Sequence, residues 1–354
     1  MANKVTGKTD TTGALSTAPL APKSVLLVGQ KVGTPSIETE ANKVFSITGT
    51  ADTVGRFGEK SKFVKAVRVL VQNGVDNMYG IIVDSTVGDG KIADNYGDTL
   101  AASLGERSVK CILLDSFDDD IITQLKTHLA MAESEDMFRY AVVANSSSDK
   151  DELITYATTK LNDSRIFMPG PAFTDGTNAT DPVLVAAGLT GEIMSETSDP
   201  ALPMNGVKIR GIGAVDRAVL ESERNVFAAN GITAIYNDGD PVIHRLVTTA
   251  AKGDSVYQEG TTRFIADYVL EGVETVLRAT YKRTKNIPRI LDSIRTTVKG
   301  KLQDYEGLEI IENFDDSTLT VVKDPQDAYG ALIDYEFDVV TPLYTITINQ
   351  HLKL

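Results

Sequence analysis

The sequence predicts an α/β N-terminal domain with a mostly parallel sheet, followed by an α+β domain with two long helices and a mixed or antiparallel sheet. Over the first half, short and wholly apolar strand candidates alternate with amphipathic helix candidates, as expected for strands buried on both faces. Beyond residue 240, two long helical repeats are followed by four strand candidates. The length of 354 residues exceeds what one hydrophobic core usually holds, which favours two domains.

Strands and helices alternate regularly over the first half of the chain. The strand candidates cover residues 24–29, 78–84, 110–115, 139–145 and 165–168. The helix candidates between them cover residues 59–73, 91–104, 118–134 and 149–162. In the first of these helices, one face is shared by Phe63, Val67, Leu70 and Val71. This alternation predicts a largely parallel sheet that helices cover on both faces.

The composition changes after Pro182, where a helix of small residues leads into a connection at 199–206 that is rich in Pro, Gly and Asp. Further strand candidates lie at 231–236, 242–249, 308–314, 318–324, 331–340 and 343–354. Helical spacing relates the residues Ile265, Val269, Gly272, Val276 and Ala279, and then Ile290, Ile294 and Val298. We therefore expect an arm at 1–22, one domain at 23–185, a second domain at 186–342 and a terminal strand at 343–354.

The composition argues against several classes of function. The chain has 49 acidic and 35 basic residues and a net charge of -14, which disfavours nucleic acid and anionic membranes as partners. Cys111 is the single cysteine, and the three histidines lack metal-binding spacing, so we predict no disulfide, metal site, catalytic residue or cofactor. No long apolar run or export signal is visible, so we expect the protein to be made in a cytoplasm and to work there first.

Two local patterns support an alternative function. Asp115, Asp118, Asp119 and Asp120 follow a strand, where carboxylates can bind a divalent cation, but acidic residues also favour the first turn of a helix. We favour the helix cap. The glycine-rich turn at 28–33 lacks the ending of a phosphate-binding loop. The alternative is an α/β enzyme or binding module that acts on a phosphorylated or sugar ligand near these carboxylates.

Charge is distributed unevenly along the chain. Residues 278–301 contain eight basic side chains and one acidic side chain and so carry +7, which leaves -21 on the rest of the chain. The basic residues are Arg278, Lys282, Arg283, Lys285, Arg289, Arg295, Lys299 and Lys301. Such a segment can dock an acidic partner, or it can be a solvated helical face that pairs with the chain's own carboxylates. Its position between the two long helices makes it a candidate docking surface.

Both ends of the chain lack an obvious place in its own sheets. Residues 1–22 are rich in Thr, Ala, Gly and Pro without periodicity, which is typical of an extended arm that needs a partner to become ordered. At the C-terminus, one strand face is formed by Gln350 together with Tyr344, Ile346, Ile348, Leu352 and Leu354. This amphipathic strand can close the chain's own sheet or add to the sheet of a neighbouring molecule.

A series of short motifs follows the small-residue helix. They are a DP..P.NG connection (Asp199, Pro200, Asn205, Gly206), an NGIT turn (Asn230, Gly231, Thr233), an R..TT element that starts at Arg245, and a DYV element (Asp267, Tyr268). In order and spacing over residues 186–354, these motifs resemble those of contractile phage tail sheath proteins. The chain looks most similar to the compact sheaths of simple myoviruses and R-type bacteriocins.

The resemblance implies a structural protein, not an enzyme, that polymerises into a helical sheath around a tail tube. Such a sheath contracts on stored conformational energy and pushes the tube through a target cell envelope, as in genome ejection by a bacteriophage and in contractile injection systems. It implies an outer domain at 23–185 and an inner, tube-facing domain at 186–342. The arms at 1–22 and 343–354 would link neighbouring subunits by adding strands to their sheets.

The resemblance also implies partners and a location. The partners are further copies of the chain, the tail tube protein, and the baseplate and tail terminator proteins, with no nucleic acid and no direct membrane binding. Sheath proteins meet their tube through complementary charge, which gives the basic segment 278–301 a role in tube docking. The protein would belong to a virion tail or a bacteriocin particle that is assembled in the cytoplasm of a host bacterium.

Overall fold

The computed structural model of the protein describes residues 24–86, 91–195, 199–250, 256–327 and 329–344. Its strands are β1 (Ser24–Gln30), β2 (Phe45–Ile47), β3 (Met78–Val83), β4 (Val109–Leu114), β5 (Tyr140–Val142), β6 (Ile166–Phe167), β7 (Pro169–Gly170), β8 (Phe173–Thr174), β9 (Ala214–Val215), β10 (Thr233–Asp238), β11 (Asp240–Ile243), β12 (Ile311–Glu312), β13 (Thr320–Lys323), β14 (Ala331–Asp334) and β15 (Asp338–Val339). Its α-helices are α1 (Thr50–Phe57), α2 (Phe63–Gln72), α3 (Ile92–Ala102), α4 (Asp119–Ser134), α5 (Lys150–Thr155), α6 (Pro182–Ser195), α7 (Glu221–Ala229), α8 (Gly260–Thr280) and α9 (Pro288–Gly307). A 3-10 turn (Ser103–Gly105) extends α3, and a π-helical turn (Tyr156–Leu161) extends α5.

The main sheet is mostly parallel, which confirms the fold class predicted from the sequence. Its strand order is β2-β3-β1-β4-β5-β6, and each neighbouring pair is parallel except β2 with β3. In the central strand, Val25 lies opposite Met78 of β3 and opposite Cys111 of β4. Residues 24–29 are all buried, as expected for a strand with helices on both sides.

Helices cover this sheet and close the first hydrophobic core. Helix α6 packs against β1, β4 and β5 and lies beside α2, whereas α3 packs against β1 and β3 and lies beside α4. Leu26, Phe63, Leu125 and Leu189 from these elements are fully buried in one cluster. Burial of a side chain of this size stabilises the fold by about 1.5–3 kcal/mol. The core therefore joins the central strand to helices from widely separated parts of the chain.

The two hydrophobic cores place the boundary between the domains later in the chain than the composition predicts. Helix α6 and the segments at 204–246 share the first core with the main sheet, whereas α8, α9 and the last strands build the second core. The sequence predicts a boundary at 185/186, because the composition changes after Pro182. However, α6 is buried all along 185–194, and a helix that is apolar on every side is enclosed by its own domain. The divide between the cores consequently lies near residue 250.

Helices α8 and α9 pack against each other and support two small antiparallel sheets. Strand β12 pairs with β15, and β13 pairs with β14 and lies against α9. Val298, Leu302 and Tyr305 of α9 are buried in the second core. A Cβ atom at Gly272 of α8 would lie 1.7 Å from the hydroxyl oxygen of Tyr305. Glycine at position 272 therefore permits the close approach of the two helices.

Several predicted elements differ from the structure, and one of them, the strand predicted at 242–249, ends at Ile243 as part of β11. The strand predicted at 331–340 is two strands, because β14 pairs with β13 whereas β15 pairs with β12. The helix predicted at 59–73 begins at Phe63 as α2, and the separate helix α1 precedes it. Gly58 ends α1 with a φ of 96°, a backbone conformation that residues other than glycine rarely adopt. The division of the strand arises from the connection between β14 and β15, and the later start of the helix arises because residues 58–62 form the connection between α1 and α2.

Candidate assembly interface

The sequence predicts an interface made from the chain ends, the open sheet edges and the basic segment. The arm predicted at 1–22 lies outside the described residues, and so do Ile346, Ile348, Leu352 and Leu354 of the C-terminal strand. Tyr344 is the member of that strand face that the structure does describe. The assignment of the two arms therefore stays a prediction.

Tyr344 contacts two residues from distant parts of the chain. Its hydroxyl donates a hydrogen bond to Oε1 of Glu259 over 2.5 Å. The guanidinium carbon of Arg245 lies 4.7 Å from the centre of the tyrosine ring, and Arg245 Nε donates to Oε2 of Glu259 over 2.7 Å. Burial and the neighbouring carboxylate raise the pKa of Tyr344 far above its ordinary value. The hydroxyl therefore stays protonated and available as a donor.

The small sheets of the second core have unpaired edges. Among the described residues, β12 and β15 pair only with each other, and so do β13 and β14. Val322 and Leu332 lie directly opposite each other in the second of these sheets, and both are exposed. Their neighbours Val321 and Ile333 pack against the second core. A hairpin with free main-chain groups and an apolar outer face can accept a further strand.

The structure separates the basic segment into paired and unpaired residues. Arg278 Nη2 lies 2.8 Å from a carboxylate oxygen of Asp136. Arg295 and Lys299 each contact a carboxylate oxygen of Asp316, also at 2.8 Å. Pairing with the chain's own carboxylates, the alternative that the sequence left open, therefore accounts for these three basic residues.

Four basic residues of the segment have exposed side chains and form no ion pair with any described residue. These are Lys282, Arg283, Lys285 and Arg289, which we call the basic turn. They lie in the connection between α8 and α9 and at the start of α9, and Arg283 bends this connection with a φ of 60°. On a chain with a net charge of -14, such a concentration of positive charge favours contact with an acidic surface.

The NGIT motif forms the turn between α7 and β10. Asn230 follows α7, and its side chain donates to a carbonyl in the last turn of that helix over 2.8 Å. Gly231 has a φ of 77°, and a Cβ atom there would lie 2.9 Å from Cα of Thr249. The hydroxyl of Thr233 is buried and exchanges hydrogen bonds with the backbone of Val247. These residues therefore determine the local fold.

The DP..P.NG motif likewise shapes the connection that follows α6. Asp199 accepts a hydrogen bond from a backbone N–H two residues further on, over 2.9 Å, in the turn that contains Pro200. Asn205 is exposed, and Gly206 has a φ of 80° and donates its N–H to the carbonyl of Ile243 over 2.8 Å. The motif thus fixes this connection against the end of β11.

Asp267 belongs to a buried ionic network that joins α8 to the main sheet. Arg165, just before β6, donates to both carboxylate oxygens of Asp267, over 2.7 and 3.1 Å. The hydroxyl of Tyr140 donates to the same carboxylate over 2.5 Å. The side chains of Arg165 and Asp267 are 2% and 8% exposed. Burial raises the pKa of Asp267 to about 6.

Two further residues complete this network. Glu133 of α4 accepts hydrogen bonds from Arg165 and from Arg263 of α8, over 2.7 and 2.6 Å. Arg263 also lies 3.2 Å from Asp267, so two arginines face two carboxylates. Tyr268, the neighbour of Asp267 in the motif, instead packs its ring 5.2 Å from that of Tyr305 in the second core.

Asp267 and Tyr268 are recognisable in the sequence from their motif, but the partners of Asp267 are not. Arg165 immediately precedes β6 and Tyr140 is the first residue of β5, and at such positions a polar residue is usually the solvated end of a strand. Arg165 and Asp267 are 102 positions apart. The sequence signal that could have indicated these partners is a long polar side chain at the beginning of a strand that is otherwise apolar.

The acidic residues at 115–120 have separate roles. Asp115 is half-buried and accepts hydrogen bonds from the hydroxyl of Tyr96 and from a backbone N–H of β1. Asp118 is the N-cap residue of α4, and Asp119 and Asp120 lie in its first turn. In the part of the chain that the structure describes, no three His, Cys, Asp or Glu side chains are grouped to hold a metal ion. Within the same residues, no helix has the length and apolar character needed to span a bilayer.

Two family models match the chain, and they define its class. Residues 90–249 match the phage tail sheath protein central domain, and residues 252–353 match the phage tail sheath C-terminal domain. Together these matches cover more than half of the chain. The chain therefore belongs to the phage tail sheath proteins, which confirms the resemblance seen in the motifs. The two matched regions meet close to the place where packing divides the two cores.

Individual relatives agree with this membership. The tail sheath protein of Bacillus phage SP01 is 20% identical over 248 residues, which are 68% of this chain and 42% of that protein. The chain thus spans less than half the length of this curated relative. The helical sheath of the anti-feeding prophage in its contracted state is 16% identical, with a TM-score of 0.73 and coverage of 100% of this chain and 99% of that chain.

A solved bacterial protein has the same fold. The sheath tail protein from Listeria innocua is 11% identical, with a TM-score of 0.66, and the match covers 89% of this chain and 92% of that chain. At this level of identity the structural likeness establishes the fold alone. None of these matches supports the alternative of an α/β enzyme or ligand-binding module.

Proposed function

We propose that this protein is a structural subunit that polymerises into a helical sheath around a tail tube and contracts to push the tube through a target cell envelope. The observation that carries the proposal is the match to both sheath family models, which reach from residue 90 to residue 353. Subunits held in an extended lattice would store conformational energy and release it as they rearrange into a more compact one.

Open-ended assembly needs a head-to-tail interface that does not close into a ring. In this proposal, residues 1–22 and 343–354 reach neighbouring subunits, and the unpaired edges of β12, β13, β14 and β15 accept them. The exposed pair Val322 and Leu332 supports this role because it offers an apolar contact to an incoming amphipathic strand. Main-chain hydrogen bonds would supply affinity, and alternating side chains would supply register.

The orientation of the subunit follows from charge. We place the second core, which carries the basic turn, toward the tube and the first core outward, so that the inner domain predicted at 186–342 begins near residue 250. The basic turn supports this orientation because its exposed charges lie in the inner part, where an acidic tube surface could attract them. Arg278, Arg295 and Lys299 are neutralised by the chain's own carboxylates and so contribute less to docking.

The remaining features of the proposal concern partners and place. The tail tube, the baseplate and the tail terminator are the expected partners, in a virion tail or bacteriocin particle assembled in a host cytoplasm. The net charge of -14 disfavours binding to nucleic acid and to anionic membranes. A lattice that works by rearrangement requires neither a catalytic residue nor a cofactor.

Electron microscopy of the purified protein tests the proposed function. The expected result is tubes or sheath-like cylinders with a helical repeat, because the subunit carries its own donor and acceptor segments. A protein that stays monomeric at every concentration and salt condition, even with a tail tube present, would contradict it.

Reversing charge in the basic turn is expected to weaken assembly on the tube. With Lys282, Arg283 and Lys285 changed to Glu, association with tubes at low salt should slow by about tenfold or more, because an attractive field becomes repulsive. The difference should shrink at high salt, where these exposed charges are screened. Pelleting of subunits with tubes over time measures the effect.

A matched control separates docking from total charge. Lys60, Lys65 and Arg68 are also exposed, lie before or on α2 in the proposed outer domain, and produce the same charge change when replaced by Glu. This control should assemble on tubes nearly as fast as the unaltered protein. Equal slowing by both sets of changes would show that overall charge, and not the basic turn, governs docking.

A further inference from the structure

Tyr344, the second residue of the predicted C-terminal strand, is bound where the two cores meet. Arg245 follows β11, next to a residue of the first core, and Glu259 is the N-cap residue of α8, which belongs to the second core. Val247 and Glu259 form an antiparallel bridge, so the backbones that carry the two side chains are tied together. Tyr344 therefore contacts a part of the molecule that is already fixed.

The side chains of Arg245, Glu259 and Tyr344 supply hydrogen-bond partners for one another. The side chain of Glu259 is only 11% exposed, and its two oxygens accept from different partners, Oε1 from Tyr344 and Oε2 from Arg245. The guanidinium group of Arg245 also covers the face of the tyrosine ring. Leu343, the residue before, is 70% exposed. The contact is thus made by Tyr344 itself and not by burial of the surrounding chain.

We propose that Arg245 and Glu259 form a clamp on Tyr344 that sets the exit point and the register of the C-terminal strand. Side chains of a strand alternate with a period of two, so a slip of one residue turns every side chain to the opposite face. Tyr344 shares its predicted face with Ile346 and Ile348. Holding Tyr344 on the subunit body therefore decides which face the strand presents to a neighbour. The inference rests on the arm exchange of the proposed function.

Hydrogen exchange of the unassembled subunit tests whether the clamp exists. Tyr344→Ala is expected to speed exchange of the hydrogen-bonded backbone N–H groups of Val247, Thr248 and Gly260, which lie beside Arg245 and Glu259, by about tenfold or more. Tyr344→Phe keeps the ring against Arg245 and removes only the hydroxyl, so its increase should be smaller. Leu343→Ala is the matched control and should leave the rates unchanged. Equal rates in Tyr344→Ala and the unaltered protein would overturn the clamp.

Electron microscopy of assembled tubes tests the positioning role. Glu259→Gln leaves one side-chain oxygen for two donors, and both this variant and Tyr344→Ala should form about fivefold fewer ordered tubes. Leu343→Ala should form tubes normally, and equal melting temperatures would show that the variants are folded. Tubes of unaltered number and lattice from Tyr344→Ala would overturn the positioning role even if exchange becomes faster.

Failure of the proposed function is distinguishable from failure of the clamp. If the full chain forms no tubes, or if a chain that ends at Tyr344 forms normal tubes, the arm exchange is wrong and the register role falls with it. The exchange rates in the free subunit judge the clamp separately, because they require no assembly.

Discussion

Replacing Asp267 by alanine is expected to lower the free energy of unfolding by about 3–5 kcal/mol. Arg165 is 2% exposed, and in the variant its guanidinium group would lose both hydrogen bonds to the carboxylate. The buried hydroxyl of Tyr140 would lose its acceptor as well. The large effect comes from leaving these groups buried without partners, not from the intrinsic strength of the ion pair.

Denaturant unfolding followed by circular dichroism measures this loss. The control is Asp292→Ala, which removes an exposed carboxylate from α9 and should change the free energy of unfolding by no more than about 0.5 kcal/mol. A loss below about 1 kcal/mol for Asp267→Ala would mean that Arg165 finds another partner and that the network does not hold α8 on the main sheet.

The pH dependence of stability provides a check on the same network. Burial raises the folded-state pKa of Asp267 from 3.8 to about 6, so the folded protein binds this proton more tightly than the unfolded chain. The contribution of Asp267 to stability therefore rises as the pH falls from about 6 to about 4. Asp267→Asn cannot titrate at this position. The stability of the unaltered protein relative to Asp267→Asn should grow over this range, and a constant difference would contradict the buried environment.

The main sheet could be predicted because its signals are local. Residues 24–29 and 110–115 are continuous apolar runs, and a strand covered on both faces needs nothing else to be recognised. The division between the cores could not be predicted in the same way. Helix α6 is apolar on nearly all sides, which indicates that other elements enclose it. The sequence does not indicate which elements these are, because the strands that α6 contacts lie earlier in the chain.

The candidate site could be predicted only in part, because ion pairing is decided by the folded chain. The charge count treats Arg295 and Lys282 alike, yet Arg295 meets Asp316, 21 positions away, whereas Lys282 is exposed. Arg165 and Asp267 are separated by 102 positions, so no local pattern could pair them. The motifs that revealed the family, such as NGIT, turned out to fix turns of the backbone. They identify the fold and leave the contacts between subunits to be tested.

Ending the chain at Tyr344 is expected to abolish tube formation while leaving the subunit folded. Both hydrophobic cores are built from residues up to 340, so removal of 345–354 takes no described core residue away. The deleted segment carries Ile346, Ile348, Leu352 and Leu354, which supply the apolar face of the predicted donor strand. Loss of this strand removes the main-chain hydrogen bonds that would tie one subunit to the next.

A full-length control separates the pattern of the segment from its length. In this variant, the same residues 345–354 are permuted so that apolar and polar side chains no longer alternate. Composition, charge and length are unchanged, but no register presents a continuous apolar face. The permuted chain should fail to assemble as the truncated chain does, and its melting temperature should match that of the unaltered subunit. Normal tubes from the permuted chain would show that assembly does not need the amphipathic pattern.

Electron microscopy of the full chain and of the chain that ends at Tyr344, purified and concentrated in parallel, decides whether the C-terminal strand builds the lattice. We expect helical tubes from the full chain and only dispersed, folded subunits from the shortened one. Tubes of the same abundance and helical repeat from the shortened chain would contradict the claim that the C-terminal strand joins neighbouring subunits.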